Sequence, residues 1–107
     1  MQISEVDLEM LEVLTLQVPW YMICGEFAER YGGPGPLASR LMALQGAGFL
    51  SIRDVRLDGH VITAAELEAD ALANNCYADL EDTREPHWDM MATDAGYALV
   101  QERFAVQ

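Results

Sequence analysis

Residues 36–56, PLASRLMALQGAGFLSIRDVR, constrain the fold of this chain more than any other stretch. Pro36 suits the first turn of a helix, where its missing N–H would have no helical partner. Leu37, Leu41 and Leu44 recur at i, i+4 and i+7 and so share one helix face. Gly46 and Gly48 end that helix, with Gly48 the better placed for a left-handed cap. Leu50, Ile52 and Val55 then take up a strand rhythm, while Ser51 and Arg53 point the other way. A leucine-faced helix that stops at glycine and turns straight into a strand predicts a mixed α+β domain.

The flanking sequence adds elements on both sides. Ser4 is a good N-cap for a helix over 4–17, with Glu5 and Asp7 favourable to the helix dipole. Val6, Met10, Val13 and Leu14, helped by Leu11, face inward there. Glu5, Glu9 and Glu12 line the outer face, a like-charge spacing that costs a little stability. Val18-Pro19 breaks the pattern, and the apolar run 20–23 suits either a short strand or the start of the second helix. Residues 25–31 read as helix with Phe27 and Tyr31 inward. Gly32-Gly33-Pro34-Gly35 is the turn before a third helix opened by Pro36. Downstream, Leu57-Asp58-Gly59-His60 fits a two-residue type I′ hairpin with a return strand over 60–62. Thr63-Ala64-Ala65-Glu66 is a capping box for a helix over 64–75. Residues 77–86 are acidic and irregular, and 88–91 are apolar enough for a strand. Thr93 caps a last helix in which Tyr97, Val100 and Phe104 share a face. The expected core joins Leu41, Leu44, Leu50 and Ile52 to Leu11, Leu14, Phe27 and Val100.

Two phrases in this order carry a family resemblance. A leucine-faced helix running through GAGFLSIR into a strand resembles the third helix and first wing strand of winged helix-turn-helix domains, most of all bacterial PadR- and MarR-type regulators. MMATDAGYALV, residues 90–100, is similar to their closing wing strand and following helix, with Thr93-Asp94-Ala95-Gly96 as the junction. The resemblance implies an α+β, mostly helical domain spanning residues 1–107. It would have a three-helix core, a small antiparallel wing sheet and a C-terminal helix. The chain departs from the pattern over about 57–86, where a plain wing needs only a hairpin and this sequence inserts a capped helix and an acidic loop.

The charge balance bears on what such a domain would bind. Eighteen acids face six basic residues, all arginine, for a formal charge of −12. Residues 1–53 hold six acids and three arginines, and residues 54–107 hold twelve and three, so the excess lies in the second half. A regulator of this kind reads DNA through the outer face of its third helix and touches backbone with its wing. The matching residues are Ser39, Arg40 and Gln45 on the helix and Arg53 and Arg56 on the wing. Phosphate neutralisation in a strong binder takes about 6–10 contacts, which six scattered arginines are poorly placed to supply. Glu66, Glu68, Asp70, Asp79, Glu81, Asp82 and Glu85 instead offer an acidic surface that repels phosphate and attracts basic proteins. Two functions are therefore expected in order. The first is a non-enzymatic acidic protein that engages a basic nucleic-acid-binding partner as a DNA mimic does. Its size, acidity and lack of lysine resemble phage anti-CRISPR and anti-restriction inhibitors. The second is a winged-helix transcriptional regulator, dimeric through its last helix.

Other chemistry has little support in the residues. The acids at 79, 81, 82 and 85 lack the glycine of an EF-hand loop, and Ser39 and Ser51 lie in no nucleophile motif. His60 and His87 have no catalytic setting, so neither enzyme activity nor a cofactor is expected. Cys24 and Cys76 have no close zinc-ligand spacing with the histidines. A disulfide between them is open but disfavoured in a reducing compartment. The first residues carry acids where a leader would need bases, and no apolar run approaches a membrane span. Both point to a cytoplasmic protein.

Overall fold

Ser4 starts the first helix as its sequence implies. A computed structural model describes residues 1–54, 60–61 and 88–105. Helix α1 spans Glu5–Val13. The Ser4 hydroxyl accepts from the Asp7 N–H at 3.1 Å, and the Asp7 carboxylate accepts from the Ser4 N–H at 2.9 Å. This is a capping box closed by aspartate. The helix ends short of the expected Gln17. The Leu14 carbonyl, which would have to accept from Val18 for the helix to go on, accepts instead from the Ala92 N–H at 2.7 Å.

After the turn over 14–17, strand β1, Val18–Pro19, leads directly into α2, Trp20–Tyr31. The ambiguous run 20–23 is thus the first turn of α2, with Pro19 extended at the N-cap. Ile23, Cys24, Phe27 and Ala28 are buried along it. Cys24 is disulfide-bonded, the outcome the sequence left open but disfavoured, and Cys76 lies outside the described residues. The helix stops at Gly32 and Gly33, whose φ values of 97° and 128° favour residues without a β-carbon.

Helix α3, Pro34–Gly46, begins two residues before the expected Pro36. Both prolines are tolerated because the N–H groups of a first helical turn have no partner within the helix. Leu37, Ala38, Leu41 and Leu44 are buried. Gly48 takes the left-handed cap at φ 88°, and the Phe49 N–H returns to the Leu44 carbonyl at 3.0 Å.

Strand β2, Leu50–Asp54, then enters an antiparallel sheet with β3, His60–Val61, and β4, Trp88–Ala92. The strand order is β1-β4-β2-β3. Leu50 pairs with Ala92 and Ile52 with Met90, which puts Leu50, Ile52 and Met90 in the core. Asp54 pairs with His60. A two-residue Asp58-Gly59 turn would set Leu57 opposite His60, so the observed register departs from the expected hairpin. Residues 55–59 and the expected inserted helix over 64–75 lie outside the described residues.

The last helix, α4, spans Asp94–Ala105. The Thr93 hydroxyl donates to the Gly48 carbonyl at 2.5 Å and accepts from the Gly96 N–H at 3.3 Å, while the Thr93 N–H donates to the Phe49 carbonyl at 3.1 Å. Gly96 is pressed against Phe49: a β-carbon there would lie 2.0 Å from the Phe49 oxygen. Gly96 and Val100 are buried while Tyr97 is 47% exposed, so Tyr97 lies apart from the inward face that Val100 occupies. The expected core residues Leu11, Leu14, Phe27, Leu41, Leu44, Leu50, Ile52 and Val100 are all buried in one cluster. The described residues form a mixed, mostly helical fold around an antiparallel sheet.

Candidate functional site

The outward face of α3 is small and uncharged. Gly35, Pro36, Ser39, Ala43 and Gly46 are its exposed positions, and Gln45 is half-buried. Arg40 is the only ionisable residue of the helix, and its guanidinium turns toward α1. Its Nε lies 3.1 Å from both Asp7 oxygens, its Nη2 lies 2.5 Å from Oδ2, and Nη2 also donates to the Gln2 carbonyl at 2.6 Å. The Tyr31 hydroxyl donates to Asp7 Oδ1 at 2.7 Å. Asp7 is fully buried. Burial pushes its carboxyl up, but hydrogen bonds from Arg40, Tyr31 and Ser4 outweigh that and hold it down at about 2. Burial and the adjoining carboxylate push the Tyr31 phenol up, and Asp7 raises Arg40. Arg40 therefore ties α3 to the capped start of α1.

The other described arginines are held in the same way. Arg53 lies 3.4 Å from the nearly buried Asp89, whose other oxygen accepts from Gln17. Arg103 of α4 lies 3.0 Å from Glu5. Arg30 of α2 pairs with Glu9 and sits over the Phe27 ring, 5.7 Å from its centroid. The hydrogen bond from Arg30 lowers Glu9, and Glu9 raises Arg30. Among the described residues, each of the four arginines is paired with a carboxylate. The acidic stripe on α1 is thereby met by cations from two other helices. Glu12, Glu26, Glu29, Asp94 and Glu102 remain exposed to solvent.

An open groove of about 470 Å³ runs between α1 and α2. Glu9, Glu12 and Val13 line it from α1, Thr15 and Leu16 from the following turn, and Glu26, Phe27 and Arg30 from α2. Leu16 is 74% exposed at its margin, and Phe27 is buried at its base.

Of the residues singled out by sequence, Ser39, Arg40, Gln45 and Arg53 fall among those described, but Arg40 and Arg53 point to separate carboxylates. Arg56 and the acids Glu66, Glu68, Asp70, Asp79, Glu81, Asp82 and Glu85 lie outside the described residues. Asp7 was legible only as a dipole-favouring acid, although its place three residues after Ser4 is the mark of a capping box. Among the described residues no three His, Cys, Asp or Glu side chains converge as a metal site requires, and no helix is long and apolar enough to cross a membrane. No protein-family model, curated protein or solved structure matches the chain.

Proposed function

We propose that this protein is an acidic binder of a basic, nucleic-acid-binding protein, acting as a DNA mimic on a winged-helix scaffold. The observation that carries this reading is the pairing of every described arginine with a carboxylate, beside a third helix whose exposed face has no charge. A DNA-reading domain needs cations free to meet phosphate, because phosphate neutralisation supplies most non-specific affinity. Here Arg40 and Arg53 serve as internal fasteners, while exposed carboxylates remain to attract positive charge. The scaffold is supported by the element order, with β1 between the first two helices and the third helix running into β2, and by a sheet in which β4 lies between β1 and β2. Glu66, Glu68, Asp70, Asp79, Glu81, Asp82 and Glu85 extend the acidic surface in sequence. Size and charge suit an inhibitor of the anti-CRISPR or anti-restriction type.

The test is capture of partners from a host lysate after nuclease treatment, followed by competition with duplex DNA. The expected result is a basic nucleic-acid-binding protein that survives nuclease, dissociates with salt and is displaced by duplex DNA. Sequence-specific binding of duplex DNA by the purified protein would overturn the reading and favour a dimeric regulator.

A further inference from the structure

We infer that the groove between α1 and α2 is a docking site for a cationic polypeptide segment of the partner that also carries an apolar side chain. The inference rests on the reading of this protein as a binder of basic proteins, and it gives that binding a place in the described structure. Three carboxylates, Glu9, Glu12 and Glu26, meet one guanidinium in the groove, and that guanidinium belongs to Arg30, already paired with Glu9. Glu12 and Glu26 stand exposed on two different helices and face the same space. The groove is more than an acidic patch. Val13 lines it with apolar surface, and Leu16 leaves three quarters of its own surface in water at the margin. The Arg30–Glu9 pair bridges α1 and α2 within the groove. A single exposed leucine needs no explanation by itself. A leucine beside two exposed carboxylates in one groove matches a segment in which arginine or lysine alternates with an apolar residue. The cations would meet Glu12 and Glu26, and the apolar side chain would cover Leu16 and Val13.

The experiment is an amide NMR titration of isotope-labelled protein with a short synthetic peptide alternating arginine and leucine. A peptide of equal charge with serine in place of leucine serves as control. Two variants accompany the wild type, Glu12→Gln/Glu26→Gln and Leu16→Ser. All three positions are exposed, so both variants should keep the wild-type circular dichroism. The leucine peptide should shift the amides of 9–16 and 26–30 and bind more tightly than the serine peptide. The double amide variant should bind it about threefold to tenfold more weakly, since each exposed pair contributes little. Leu16→Ser should remove the preference for leucine over serine. Shifts that fall elsewhere, or equal affinity for wild type and the double variant, would overturn the groove while leaving the basic-partner reading in place. Failure of the wild type to bind either peptide at physiological ionic strength would overturn both.

Discussion

The Arg40 guanidinium on α3 lies against the fully buried carboxylate of Asp7 on α1, with Nη2 2.5 Å from Oδ2. This pair removes the single cation of α3 from the surface where a recognition helix would use it. It also holds together the capped start of α1, the end of α2 through Tyr31, and the middle of α3. Removing Arg40 would leave an ionised carboxylate buried without its countercharge. Arg40→Ala should therefore cost about 3 kcal/mol in urea denaturation. A loss below about 0.5 kcal/mol would be the figure for an ordinary surface residue and would show that the pair is not structural.

Asp7 also sets a pH dependence. Its carboxyl sits at about 2 in the folded protein, below the usual aspartate value near 3.8. A depressed carboxylate stabilises the fold above its unfolded value and loses that contribution as pH falls through the folded value. The contribution, about 2 kcal/mol, should fade between about pH 4 and pH 2. Denaturation of wild type and Asp7→Asn across this range checks it. The two stability curves should converge as pH falls, and a constant gap between them would mean that Asp7 is not the titrating group.

Gly96 and Phe49 give a prediction of a different kind. A β-carbon on Gly96 would meet the Phe49 carbonyl oxygen at 2.0 Å, and that atom is backbone already bonded to the Thr93 N–H. Gly96→Ala should cost at least about 2 kcal/mol, because the strand start or α4 must move. Thr93→Ala, which removes only the cap and the bond to Gly48, should cost about 1 kcal/mol. Thermal melts of the two variants should rank in that order, and the reverse order would contradict the close approach.

Leu44 tests the core. It is fully buried beneath the α3–β2 junction, and Leu44→Ala should cost about 2–5 kcal/mol. A change under about 0.5 kcal/mol in chemical denaturation would mean that α3 presents a different face.

The parts of this fold legible in the sequence are those set by local chemistry. The leucine spacing of α3, the Gly48 cap and the alternation of β2 are all short-range signals, and all appear in the structure. The parts that were not legible depend on distant partners. The early end of α1 depends on the Ala92 N–H that takes the Leu14 carbonyl. Periodicity alone groups Tyr97 with Val100, but the contact of Gly96 with Phe49 decides which way α4 faces. The β2–β3 register departs from the one that Asp58-Gly59 alone suggests. At the candidate site, the acidic stripe of α1 could be read from its spacing. That Arg30 and Arg103 arrive to meet it from α2 and α4 could not.

The engagement of the described arginines is tested most directly by selection of the purified protein on a random duplex DNA library at physiological salt. With Arg40 held by Asp7 and Arg53 by Asp89, no motif should be enriched and no discrete gel shift should form. An enriched palindrome bound with nanomolar affinity, and lost in a folded Arg40→Gln variant, would contradict the pairing as a bar to DNA binding and assign the protein to the regulators.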